Sequence, residues 1–395
     1  MNTASARLTR AATRAHRAWL ATERGSVPAA VCAARAIEAL EGGVLLETAE
    51  RHSAYHLCVG VLIAADAVDH ARRAIAALRA LAPGPAAWYE AELALRTGRL
   101  AEAERSAGEA LELAGAQPSL FATGALRVLV CALIERGAPH EADERLRTSR
   151  APASTGLMHA RARLALAEGR FDDAYTVAQE VGARRERQGR TNPTFDGWRS
   201  TAAVALTHLG RYAEATALAQ SELAAARAFG APVPIGRALT ARALAEPDHR
   251  ARASVCADAL ELLAGRAAPL ESTRLRLELG SALARSGLRV HARDALAAAL
   301  AEADRAGAFP LAERARRELV GTGLRPRRAA ITGAGALTPR QREICELAAI
   351  GKGNRAIATE LFLSIKTVET HLAAAYRKLG VGARAELAAT LAAPA

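Results

Sequence analysis

Apolar and small residues return every three or four positions along most of this 395-residue chain. The stretches that carry them are broken by short segments containing Gly, Pro or Asp. A period near 3.6 predicts amphipathic helices, and no run of alternating β-branched residues predicts a strand. The expectation is an all-α chain, which argues against a βαβ sheet and most nucleotide-binding architectures.

Within the helical text, short phrases recur: GRLAEA from Gly98, GAPHEA from Gly137, GRFDDA from Gly169, GRYAEA from Gly210 and GLRVHA from Gly287. A degraded copy, EPDHRARASVCADAL, begins at Glu246 between the last two. Each phrase follows one helical stretch and precedes another, so its Gly is placed for the left-handed turn that ends a helix. A period of roughly 34 to 41 residues matches stacked helical hairpins resembling tetratricopeptide repeats. Because each hairpin buries its apolar face only against neighbours, the array is expected to curve into a superhelix with a concave surface.

Two local features of this region have a functional and a structural reading. His52 and His56 lie four positions apart, a metal-compatible spacing, but no third ligand is nearby and packing is preferred. RTNPTFDGWRS, residues 190 to 200, interrupts the helical pattern. It reads as an inter-repeat turn with Trp198 as an aromatic plug, or as a ligand-contacting loop, with the turn preferred.

Composition agrees with helices packed through small residues, since half the chain is apolar with only 4% aromatics. The five cysteines include no CxxC pair, so neither a disulfide framework nor a zinc ribbon is suggested. The N-terminus lacks the apolar core of a signal peptide. The uncharged stretch at residues 52–65, which no other exceeds in length, is shorter than the ~18 to 20 residues that span a bilayer. A soluble, cytoplasmic protein that does not engage the membrane is expected.

Charge separates the end of the chain from the rest. Residues 324–395 hold eleven Lys or Arg against five Asp or Glu, while the preceding 323 residues hold 42 against 36. Half of the net +12 therefore sits in under a fifth of the chain, as a polyanion-binding module requires. All three lysines (Lys352, Lys366 and Lys378) fall there. The reading divides the chain into a repeat region at 1–323, a flexible basic linker at 324–335 and a terminal domain at 336–395.

In the terminal domain LTPRQREICELAAIGK opens a helix with Thr338 as N-cap, Pro339 at the first helical position and Gln341 in the capping-box position. Ile344, Leu347 and Ala348 form its inner face, and Gly351 and Gly353 end it. Asn354 is expected to cap a second helix with Ile357, Ala358 and Leu361 inward, and Ser364 a third running to about Leu379. Two helices so closely joined cross steeply, which is helix-turn-helix geometry. At 100° per residue, Ile365, Val368, Leu372, Ala375, Tyr376 and Leu379 fall on one side of the third helix. Lys366, Thr370, Ala373, Ala374 and Arg377 fall on the other, with Thr367 and Glu369 at its edges. A face short in the middle and cationic at both ends suits a major groove, although an ordinary solvated face has the same pattern.

The run from Leu337 to Leu387, with LTPRQREI, NRAIATELFLSIKTVETHL and YRKLGVGARAEL, closely resembles the LuxR-type DNA-binding domain. The resemblance implies four helices, the third reading double-stranded DNA and the fourth, from about Arg384 to Leu391, contributing to dimerisation on DNA. By the same resemblance Glu369, Thr370 and Ala373 are candidates for base edges, a carboxylate accepting from cytosine N4 and a methyl meeting that of thymine. Lys366, Thr367, Arg377, Asn354 and Arg355, with Lys378 in addition, are candidates for phosphate. Val368, Leu372 and Tyr376 are assigned to packing, and His371 to a structural hydrogen bond.

Residues 25 to 323, with NPTFDGWRS and LAERARRELVGTGLRPRR, also resemble the helical-repeat part of the large ATP-binding LuxR-family regulators. Those regulators carry a GxxxxGK[ST] loop, whereas no lysine here precedes Lys352. Neither ATP, nor any other cofactor, nor a phosphorylated receiver domain is implied. The expected protein is a non-enzymatic, sequence-specific transcription regulator, an activator, controlled by a protein or small-molecule effector on its repeats. The alternative is a helical-repeat interaction scaffold whose DNA-binding domain is weak or vestigial.

Overall fold

The computed structural model describes residues 3–49, 53–115, 119–152, 154–323, 337, 339–361 and 363–392, and regular structure among them is entirely helical. The chain divides into two compact units, Met1–Arg325 and Pro326–Ala395. His52, Thr338 and the predicted linker at 324–335 lie outside the described residues.

The first unit is a chain of helical hairpins among the described residues. Helices α1 (Thr3–Arg24) and α2 (Ala29–Leu40) lead into α3 (Ala54–Ala64) and α4 (Val68–Arg79). Next come α5 (Pro83–Arg96), α6 (Leu100–Ala114), α7 (Leu120–Glu135), α8 (Pro139–Thr148), α9 (Thr155–Ala167) and α10 (Phe171–Arg187). The unit continues through α11 (Trp198–His208), α12 (Tyr212–Phe229), α13 (Pro232–Leu244) and α14 (His249–Leu263), and ends with α15 (Pro269–Arg285), α16 (Arg289–Ala306) and α17 (Phe309–Gly321).

The predicted glycine turns have one geometry. Gly98, Gly137, Gly169, Gly210 and Gly287 all have φ between 72° and 83°. At each, the next residue's N–H donates to the carbonyl five positions back, at 2.8 to 2.9 Å, satisfying a carbonyl that the helix end leaves free. The degraded copy forms its hairpin without this device: Asp248 caps α14 by accepting from the Ala251 N–H at 2.7 Å. A further copy, invisible to a search for glycine, joins α3 to α4. There Asp66 takes the left-handed conformation at φ 56°, and the Ala67 N–H reaches the Leu62 carbonyl at 2.9 Å. A non-glycine residue is strained in this conformation by roughly 1–2 kcal/mol. Its side chain explains its presence: Asp66 pairs with Arg96 at 2.6 Å and accepts from the Val233 N–H at 3.0 Å.

Close helix approach depends on three other glycines, one for each tryptophan. Trp19 lies against Gly60, Trp88 against Gly124 and Trp198 against Gly182, so a Cβ at Gly124 would stand 2.4 Å from Trp88 Cε2. Gly124→Ala gains up to ~1 kcal/mol of helix propensity but forces the indole out of place. The variant is expected to melt at a lower temperature and to shift its tryptophan emission; a raised melting temperature would refute this packing.

Distant segments of the array touch one another. Segments 167 to 170 positions apart meet, with the Thr191 hydroxyl donating to the Arg24 carbonyl at 2.9 Å, Asn192 Nδ2 to the Thr22 carbonyl at 2.6 Å, and Val233 N–H to Asp66. The turn at Gly98 abuts Pro269, and that at Gly137 abuts Pro310. Leu100 shares a buried cluster with Leu270, Ala303 and Ala308. One superhelical turn is therefore complete after about 170 residues and packs on the next, narrowing the expected concave surface into a partly open cavity.

The preferred readings of the two local features agree with this packing. His56 is half-buried beside Tyr89 and Phe121, its Nε2 donates to the Ala49 carbonyl at 3.2 Å, and burial pushes its pKa down. No group of three metal-ligating side chains exists among the described residues. Trp198 opens α11, 9% exposed, with the Arg199 guanidinium 4.5 Å above its ring. No described helix is long and apolar enough to cross a membrane.

Candidate nucleic-acid interface

In the second unit, α18 (Pro339–Ala349), α19 (Asn354–Glu360), α20 (Ile365–Leu379) and α21 (Leu387–Ala392) surround one core of Ile344, Cys345, Ile357, Val368, Leu372 and Leu387. Leu347, Leu361 and Tyr376 pack at its margin. Gly351 closes α18 at φ 89°, with the Lys352 N–H on the Leu347 carbonyl at 3.2 Å. Ser364 caps α20 by accepting from the Thr367 N–H at 3.0 Å, and Gly380 ends it at φ 68°.

Three positions depart from expectation. Gly353, not Asn354, occupies the N-cap of α19, and Asn354 is its first helical residue. Its Oδ1 accepts from Arg384 Nη1 at 2.9 Å, because Arg384 bridges the end of α18 to the start of α19 and also donates to the Ala348 and Lys352 carbonyls. Ile365 is 44% exposed rather than inward, since the first residue of α20 projects beyond the core. His371 is half-buried and makes no side-chain hydrogen bond among the described residues, so it packs without the expected structural bond.

The outer face of α20 is laid out along one line. Lys366, Glu369, Thr370, Ala373 and Arg377 are exposed, and Thr367 is half-buried with its hydroxyl 2.7 Å from Ser364 Oγ. Thr370 donates its proton to the Lys366 carbonyl at 2.8 Å, leaving its methyl and an oxygen lone pair outward. Lys366 and Arg377 stand eleven residues apart, about 16 Å along the axis, enough to straddle a groove about 12 Å wide.

Ion pairing separates the cations of this unit. Arg340 pairs with Glu343 and Lys352 with Glu360, each at 2.6 Å, while Lys378 donates to Gln341 Oε1 at 2.6 Å. Arg355, Lys366 and Arg377 are exposed and form no ion pair among the described residues. Their charge remains available to a polyanion without a partner first being displaced. The structural role of Arg384 has no signature in the sequence, because its acceptors, two backbone carbonyls and the Asn354 amide oxygen, lie thirty or more positions away.

Comparison with known proteins places this unit. Residues 335–391 match the luxR family of bacterial regulatory proteins. Spore germination protein GerE of Bacillus subtilis is 48% identical over 50 residues, which cover 13% of this chain and 68% of GerE. Proteins of Mycobacterium bovis and Mycobacterium tuberculosis named as HTH-type transcriptional regulators are 46% identical over 55 residues, or 14% of this chain. The match spans only 6% of the length of those mycobacterial relatives. Among solved structures, the TPR domain of P58(IPK) aligns over 74% of this chain and 94% of its own, with 14% identity and a TM-score of 0.24.

Proposed function

Because the chain belongs, through its terminal domain, to the luxR family of bacterial regulatory proteins, we propose that it is a cytoplasmic, sequence-specific regulator of transcription that binds double-stranded DNA through α20. The observation that carries this reading is the unpaired cationic line on an otherwise short-chained helix face. Lys366 and Arg377 meet phosphates on either side of the groove, Arg355 and Asn354 Nδ2 add contacts from α19, and Thr367 adds one from the first turn of α20. Lys378 reaches a phosphate only by leaving Gln341. Glu369, Thr370 and Ala373 face base edges between these anchors.

The protein acts as a dimer on DNA through α21, as an activator whose repeat unit receives the controlling protein or small molecule. Its chemistry is binding, with no catalytic step assigned.

Fluorescence anisotropy of the full chain on DNA from a random-pool selection, over a salt series, tests this reading. Thr370→Arg is expected to change the preferred bases. Lys366→Ala is expected to weaken binding to all sequences and flatten the dependence of log K on log salt by about 0.9. Unaltered binding by both variants would remove the groove orientation, and failure of any sequence to enrich would favour the scaffold reading.

A further inference from the structure

The interior of the repeat unit is not filled. It holds a cavity of about 660 Å³, within the range of roughly 300–1,000 Å³ typical of small-molecule sites. Leu95, Ile134, Leu166, Val204 and Leu244 line part of it; Thr194, Phe195, Ser200 and Thr201 bring the segment around Trp198 to its wall. That segment, besides anchoring an aromatic plug, thus contributes polar groups to the cavity wall.

The charged lining is asymmetric: five arginines (Arg96, Arg127, Arg163, Arg237 and Arg274) against Glu92, Glu135 and Glu271. Four of the arginines already have carboxylates. Arg96 pairs with Asp66, Arg127 with Glu92, Arg163 with Glu135, and Arg274 with Glu135 and Glu271. Arg237 has no carboxylate within ion-pair distance among the described residues. Its Nη2 donates to the Pro193 carbonyl, and its buried Nε has no partner. Gly197 makes room for this guanidinium, since a Cβ there would stand 2.2 Å from Nε. Glu222, the carboxylate acting on it most strongly, is fully buried and bound to Ser200 at 3.0 Å, and burial pushes its pKa up.

His159 also lines the cavity, with Asp196 3.9 Å from its Nδ1. It is 6% exposed, with Nε2 2.9 Å from Thr201 Oγ1. Burial first, and then the charges of Arg163, Arg237, Arg127 and Arg185, hold its pKa well below the usual value. A partly buried guanidinium with no ion-pair contact and an unpartnered Nε is costly unless an anion completes it.

We infer that this cavity binds a small organic anion, its charged group at Arg237 and its apolar body against the wall of Leu95, Ile134, Val204 and Leu244. Treating that anion as an effector rests on the regulatory reading above. Binding itself does not, and it is measured without DNA, so failure of either leaves the other standing.

The test uses the full chain and two fluorescent probes with the same aromatic body, anionic 1-anilinonaphthalene-8-sulfonate and neutral N-phenyl-1-naphthylamine. The unaltered protein is expected to bind the sulfonate about tenfold or more tightly than the neutral probe. Arg237→Gln is expected to abolish that preference while leaving the neutral probe's affinity unchanged, and Val204→Trp, which narrows the cavity at its apolar wall, to weaken both. Decanoate is expected to displace the sulfonate probe from the unaltered protein, and decanol to fail at equal concentration. Equal affinities for the two probes, equal displacement by acid and alcohol, or a preference that survives Arg237→Gln in a folded protein would overturn the inference.

Discussion

Asp66→Ala is expected to destabilise the repeat unit by about 3–5 kcal/mol, the range for removing one partner of a buried ion pair. Three effects coincide. Arg96, whose side chain is 10% exposed, is left with only neutral partners in Thr194 and the Ala64 carbonyl. The Val233 N–H is left without its acceptor, and alanine must adopt a left-handed conformation that aspartate tolerates better. The pair is not strongly stabilising as a whole, because burial raises the Asp66 pKa more than Arg96 and the Val233 N–H lower it. Arg96→Met in the Asp66→Ala background should therefore recover part of the stability. Thermal melts read the stability, and hydrogen exchange should show new opening at 64–68, 191–196 and 229–237. A single variant as stable as the parent, or a double variant worse than the sum of the singles, would refute a closure held by this tie.

The second large effect is on DNA. Simultaneous Arg355→Ala, Lys366→Ala and Arg377→Ala is expected to flatten the salt slope by about 2.7, near 0.9 for each phosphate that is no longer neutralised. At ~0.15 M salt this corresponds to an affinity decrease on the order of 100-fold. Lys352→Ala is the informative control, because that ammonium already pairs with Glu360 and should change the slope much less. Equal slope changes from Lys352→Ala and from any one of the three would mean that ion pairing within the domain does not determine which cations reach DNA.

Much of the terminal domain was legible because its signals are local. Ser364 and Gly380 cap α20 as their residue types require, and exposure of Lys366, Glu369, Thr370, Ala373 and Arg377 follows from a 100° step per residue. The same locality explains the misassignments. Asn354 is an acceptable N-cap, but Gly353 takes the position and Arg384, thirty residues later, engages the Asn354 oxygen. Ile365 satisfies the inward period, yet the core does not extend to the first residue of α20.

In the repeat unit the division is sharper. The sequence by itself determined the helices and the left-handed glycine turns, which depend on residues within five positions of one another, and the hairpin stacking, which shows in the recurrence of the glycine phrases. Only the tertiary structure decided that Asp66 stands in for a sixth turn glycine, that Thr22 and Asn192 meet, and that Arg237 is left without a carboxylate beside a cavity. These contacts depend on superhelical pitch, the accumulated small rotation between successive hairpins, and no residue pattern of short period encodes that sum.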